Sequence, residues 1–90
     1  LTPTVRHVSY VHEPADPFLA AQLKRLREER EMTQEELAFD AGITSSALSR
    51  IERGLNSPGW TTVRRIADAL EVSVADLAAE VEDLEEDLEG

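Results

Sequence analysis

Ninety residues hold one small domain with a single modest core, and burial alone stabilises such a core only marginally. The formal charge of -10 argues at first sight against a nucleic-acid partner. The lack of cysteine excludes disulfides and thiolate chemistry, which suits a reducing cytoplasm, and no apolar run approaches the roughly 20 residues of a membrane span. The N-terminus carries no signal-peptide core, and the chain opens at Leu1 rather than Met, which leaves its native start open.

Residues 1–16 read as an arm. Within it Thr4 to His12 (TVRHVSYVH) is rich in β-favouring residues, yet a lone strand has no partner in a helical domain. The segment either pairs with its counterpart in a second subunit or remains a loosely ordered arm. His7 and His12 have no Cys or carboxylate arrangement around them that reads as a metal site. Asp16-Pro17 opens the first helix, since Asp caps and Pro is tolerated at the first position. That helix is expected from Pro17 to about Arg30, with Leu19, Leu23 and Leu26 on one face and Phe18 closing its start.

Thr33 and Glu36 form a capping-box pattern for a second helix, and Thr44 caps a third that ends near Arg53-Gly54. Leu55 to Gly59 is a loop by composition. A fourth helix follows through Thr62, Val63, Ile66, Ala67 and Leu70, and Ser73 with Asp76 repeats the capping pattern ahead of a fifth. There Val74, Leu77, Val81, Leu84 and Leu88 alternate steps of three and four, the seam of a coiled coil. The seam extends the fifth helix into a dimer handle, folds against its own domain, or frays as an acidic solubilising segment. Glu80, Glu85 and Asp87 border it with like charge and disfavour a long symmetric coil.

The most informative stretch is Gln34 to Arg53, QEELAFDAGITSSALSRIER. Two short helices meet at a tight turn. Ala38 allows close approach, Gly42 takes the positive φ, and Leu37, Ala41, Ile43, Leu48 and Ile51 point inward. Ser45, Ser46, Ser49 and Arg50 are left on an outward strip. This is a helix-turn-helix whose second helix suits a DNA major groove.

From about Phe18 to Leu77, roughly two-thirds of the chain, TQEELA, SRIERG and IADALEVS are mutually consistent in spacing, and the segment resembles the XRE family of phage repressor and Cro type. The resemblance implies an all-α, compact five-helix domain over residues 17–77 that binds operator DNA, usually as a homodimer; beyond it, the seam and the acids of residues 78–90 read as an acidic helix extension. It places Ser45, Ser46 and Arg50 at base edges, with Thr44 and Ser49 at the margin. Arg50 matters most physically, because its planar fork matches guanine O6 and N7. Arg53, Asn56 and Ser57 lie where the family grips the DNA backbone. Arg27 and Glu52 match positions that pair between the first and third helices, which leaves Arg27 near phosphate. Gln34 stands at a helix N-terminus, where free N–H groups and the dipole favour phosphate. The bland alternative for each is a solvated helix face or an ordinary turn. Two departures are Glu31, where the family usually has Gly as a left-handed terminator, and Trp60, where a smaller apolar residue is usual.

The net charge is unevenly distributed. Residues 17–65 hold eight Lys and Arg against seven Asp and Glu, whereas residues 66–90 hold ten acids and no base. Lys24, Arg25, Arg27, Arg30, Arg50, Arg53, Arg64 and Arg65 therefore remain near the binding module. The expectation is a cytoplasmic, sequence-specific transcriptional regulator, a repressor acting by operator occupancy, with no cofactor, no metal and no membrane. The alternative is a protein-interaction module of an antitoxin or coactivator-like adaptor, with a partner held through Phe39 or the acidic tail. No nucleophile–base set or phosphate-cradling glycine loop points to an enzyme.

Overall fold

Five helices follow one another along the chain: α1 (Pro17–Glu29), α2 (Gln34–Ala41), α3 (Ser45–Glu52), α4 (Trp60–Ala69) and α5 (Val74–Glu89). The computed structural model describes residues 15–89; the strand expected over Thr4 to His12, with His7 and His12, lies outside them. Among the described residues there is no strand, and no helix is long and apolar enough to cross a membrane.

The helix starts are set by the side chains that the local pattern indicates. Asp16 Oδ1 accepts from the amides of Phe18 (2.9 Å) and Leu19 (3.3 Å), with Pro17 at the first helical position. Thr33 and Glu36 close a full capping box: Glu36 N donates to Thr33 Oγ1 at 3.0 Å and Thr33 N to Glu36 Oε1 at 2.8 Å. Thr44 Oγ1 accepts from Ala47 N at 3.0 Å, and Ser73 Oγ from Asp76 N at 2.9 Å. Only α4 starts without a side-chain cap, at Gly59.

The ends of α1 to α4 share one geometry. Met32 N donates to Arg27 O (3.1 Å), Ile43 N to Ala38 O (3.0 Å), Leu55 N to Arg50 O (2.9 Å) and Val72 N to Ala67 O (3.0 Å). Each of these bonds reaches back around a residue in the left-handed region, which is how a Schellman turn satisfies the last carbonyls of a helix. Gly42 and Gly54 take that conformation at φ 74°, but Glu31 (56°) and Glu71 (62°) take it too. The lack of glycine after α1 therefore leaves the termination intact and puts a Cβ where the backbone disfavours one, at about 1–2 kcal/mol per residue. Met32, Ile43 and Val72, each just past its left-handed residue, pack on the core and hold the turns in place.

That core is built around Leu23, Leu37, Leu48, Ile66, Leu70 and Leu77, all fully buried. Ala38 and Ala41 are 2% and 3% exposed on α2, which packs against both α3 and α4. Ile43, inward by sequence pattern, is half-buried against the same cluster. The expected α5 seam divides: Leu77 is buried, Val74 and Val81 pack on the core, Leu84 is half-buried and Leu88 is 77% exposed. Most of it is thus spent on its own domain, and the boundary drawn after residue 77 falls inside one continuous helix. Gln22, only 1% exposed, donates from Nε2 to Glu80 Oε1 at 2.7 Å and accepts from Arg25 Nη1 at 3.2 Å, pinning α1 to α5.

A methyl group at Gly42 would meet nothing within 4 Å, so Gly42→Ala isolates the backbone term. It should lower unfolding free energy by about 1 kcal/mol, and Glu31→Gly should raise it by about 0.5–1 kcal/mol, as read from urea unfolding. Opposite signs test the shared terminator geometry; a loss from Glu31→Gly refutes it.

Candidate nucleic-acid interface

Two sides of α3 differ in chemistry. Leu48, Ile51 and Glu52 are buried, while Ser46 and Arg50 are exposed, Ser45 and Ser49 are half-buried and Arg53 follows, exposed, at the end of the helix. Residues 46, 49, 50 and 53 recur at helical spacing and line one strip. Short hydroxyls that donate and accept thus stand beside two guanidinium groups, a surface suited to base edges and phosphates. Thr44 is exposed at the margin of this strip and uses its hydroxyl as the cap of α3.

The orientation of α3 is set from behind by Glu52. Its side chain is 1% exposed and receives Arg27 Nε on Oε2 at 2.8 Å, Arg27 Nη2 on Oε1 at 3.0 Å and Gln34 Nε2 on Oε1 at 2.9 Å. Arg27 Nη1 also donates to Met32 O at 2.8 Å. One carboxylate therefore ties α1, the start of α2 and the end of α3. The Arg27–Glu52 pairing is the one the family resemblance implies. The hydrogen bond to Glu52 raises the Arg27 pKa, with burial opposing and the nearby acids adding to the rise, so the guanidinium stays charged at any ordinary pH.

Gln34 is turned inward onto this carboxylate by its side chain. What it offers at the N-terminus of α2 is its backbone amide, one of the first-turn groups that find no acceptor within the helix. Asn56, expected against the DNA backbone, faces Arg50: with its amide oriented so that both oxygen and nitrogen find partners, Oδ1 accepts from Arg50 Nε at 3.2 Å and Nδ2 donates to Leu55 O at 3.0 Å. Arg53 Nε reaches Ser49 O at 3.4 Å, and Ser57 is exposed in the loop. The Asn56–Arg50 contact escaped the sequence reading because it spans the left-handed turn at Gly54. The only signal for it is an Asn placed just beyond that glycine.

The cations near the module are fewer in practice than in composition. Arg25 pairs with Glu29 at 3.0 Å, Arg27 is held by Glu52, and Arg30 donates to the carbonyls of Leu70 (2.8 Å) and Leu26 (3.2 Å). Lys24, Arg50, Arg53, Arg64 and Arg65 are exposed with no carboxylate partner among the described residues.

The family described as helix-turn-helix domain matches residues 19–80. Over 52 residues the chain is 40% identical to the HTH-type transcriptional repressor RghR of Bacillus subtilis (strain 168), covering 57% of this chain and 38% of that protein. It is 36% identical over 59 residues to the immunity repressor protein of Bacillus phage phi105, covering 66% of this chain and 41% of that one. The chain thus spans less than half the length of the first curated relatives it matches. Among solved structures, the clp gene regulator ClgR from Corynebacterium glutamicum superposes with a TM-score of 0.70 at 29% identity, over 81% of this chain and 84% of that one.

Removing one side of a buried ion pair leaves the other charge uncompensated, at a cost of about 3–5 kcal/mol. Glu52→Ala should therefore lower unfolding free energy by about 3 kcal/mol, Arg27→Ala by a comparable amount, and the double variant by clearly less than the sum. Urea unfolding of the three variants checks this, and strict additivity would contradict the brace.

Proposed function

The chain belongs to the helix-turn-helix domain family, and on that premise we propose that it is a sequence-specific DNA-binding transcriptional regulator, a repressor that acts by occupying its operator in the cytoplasm. Residues 17–77 form the DNA-binding unit. The observation that carries this reading is the strip on α3: Ser46, Ser49, Arg50 and Arg53 face outward from a helix whose opposite side is locked by Leu48, Ile51 and Glu52. Arg50 reads a base through its terminal nitrogens while Asn56 holds its Nε, and Ser45, Ser46 and Ser49 supply shorter contacts, with Thr44 at the edge. Arg53 and Ser57 grip phosphate, joined by the first-turn amides at Gln34; Arg27 orients α3 and contributes charge from the rear.

The relatives' printed roles as transcriptional repressors support the repressor reading. Two copies occupy a pseudo-palindrome with recognition helices about 34 Å apart, one DNA turn. A second reading, that of an adaptor, draws on Phe39, which is 85% exposed on α2 beside Glu35, Glu36 and Asp40.

Selection of binding sites from random duplexes at stated salt separates the two: an enriched inverted repeat supports the regulator, and no enrichment supports the adaptor. On the recovered site, Arg50→Ala should cost about 1–3 kcal/mol of binding free energy while scarcely changing affinity for random DNA. Equal losses on both duplexes would make Arg50 a phosphate contact.

A further inference from the structure

The loop after α3 folds back over the last turn of the helix and closes on both the backbone and the side chain of Arg50. Gly54, at φ 74°, reverses the chain, and Leu55 N then donates to Arg50 O at 2.9 Å. With its amide oriented so that both ends are bonded, Asn56 accepts from Arg50 Nε at 3.2 Å and donates to Leu55 O at 3.0 Å. We propose that Asn56 is a specificity-determining positioning residue: it aims the Arg50 guanidinium at a base edge and keeps it from turning to phosphate, in place of the contact with the DNA backbone that family resemblance implies for it. This rests on the reading of α3 as the helix that contacts bases.

An exposed guanidinium in a DNA groove meets two kinds of acceptor, base edges and phosphate oxygens, and charge draws it to phosphate, which carries no sequence information. A tie that fixes its direction therefore changes what it reads. The chain makes such ties in two ways. Glu52 takes Nε and Nη2 of Arg27 together, so that guanidinium offers no free fork, and Glu29 takes Nε of Arg25 and offsets its charge. Asn56 is uncharged, and its Oδ1 engages Nε of Arg50 alone. Arg50 has no carboxylate partner among the described residues, so its full charge and its two terminal nitrogens are left for a ligand. With Nε taken, approach through Nε and one terminal nitrogen is closed. The end-on approach through both terminal nitrogens remains, and it matches the O6 and N7 acceptors of guanine. The bond from Nδ2 to Leu55 O fixes the direction of the amide, so it is the oxygen of Asn56 that faces Arg50.

Sites selected by the unaltered chain supply the duplex, and the base pair read by Arg50 is the one at which Arg50→Ala loses its preference. The measured quantity is the ratio of affinities for that duplex and for one changed at that pair, at one stated salt concentration. Asn56→Ala should lower this ratio about three- to tenfold, the net effect of a single hydrogen bond. In an Arg50→Lys background the charge is kept but a methylene stands where Nε was, and there Asn56→Ala should leave the ratio as it is. Urea unfolding verifies that each variant is folded. A ratio that Asn56→Ala does not change overturns the proposal, and an equal fall in both affinities makes Asn56 a phosphate contact. The same fall in the ratio in the Arg50→Lys background also overturns it, because the loop then acts without Arg50. Either result, with Arg50→Ala still losing its preference, leaves base reading by α3 standing. Equal losses from Arg50→Ala on selected and random duplexes instead overturn that base reading, and the role of Asn56 falls with it.

Discussion

The buried carboxylate of Glu52 is the constraint on which the arrangement of this domain depends. A carboxylate removed from water is tolerated only when its lone pairs are taken up by donors of fixed geometry, and here three donors converge on it from α1 and α2. Leu37 and Leu48 hold the same helices together by apolar contact, but such contact is non-directional and tolerates rotation. The bidentate Arg27 contact does not. It fixes the roll of α3 about its own axis, and that roll decides which of its side chains face outward.

The same brace accounts for the division of labour among the polar residues. Arg27 and Gln34, both cationic or polar and both near the proposed DNA face, direct their side-chain donors to Glu52, so the contacts proposed with DNA bases fall to α3 itself. Arg50 is in turn steadied at Nε by Asn56. A guanidinium held at one nitrogen retains its two terminal groups as a fork, and its loss of side-chain entropy on binding is already partly met within the protein. Charge follows a parallel separation. The acids are concentrated on α5, away in sequence from α3, and the net charge of the chain therefore says little about the field at the recognition helix.

Local patterns were legible where the physics is local. Caps at Asp16, Thr33, Thr44 and Ser73 depend on a side chain bonding an amide two or three residues away, and a reader of the sequence sees both partners. Helical periodicity likewise indicated Leu23, Leu26, Leu48, Ile51, Ile66 and Leu70 as core. Glu71 was not legible as a left-handed residue and Glu31 was marked only by the family resemblance, because glycine is the only strong local signal for that conformation and neither position has it. The tertiary contacts of Met32 and Val72 hold them there instead. Gln22 escaped notice for a related reason: a polar residue on an apolar face reads as solvent-exposed until Glu80, far along the chain, turns out to be its partner.

The sequence by itself determined the number and order of the helices, the turn at Gly42, the larger part of the core and the residues that form the outward strip of α3. All of these follow from spacing and from interactions within a few residues. The pairing of Arg27 with Glu52 was indicated only through family resemblance. Tertiary structure alone decided that α5 spends Leu77, Val74 and Val81 on its own domain, that Gln34 turns inward, that Asn56 meets Arg50, and that Trp60 stands in an open groove. Each of those outcomes depends on which surfaces meet when separate helices pack. A heptad seam, a helix N-terminus or a lone tryptophan carries the same local signal whether its partner is its own domain, another chain or water.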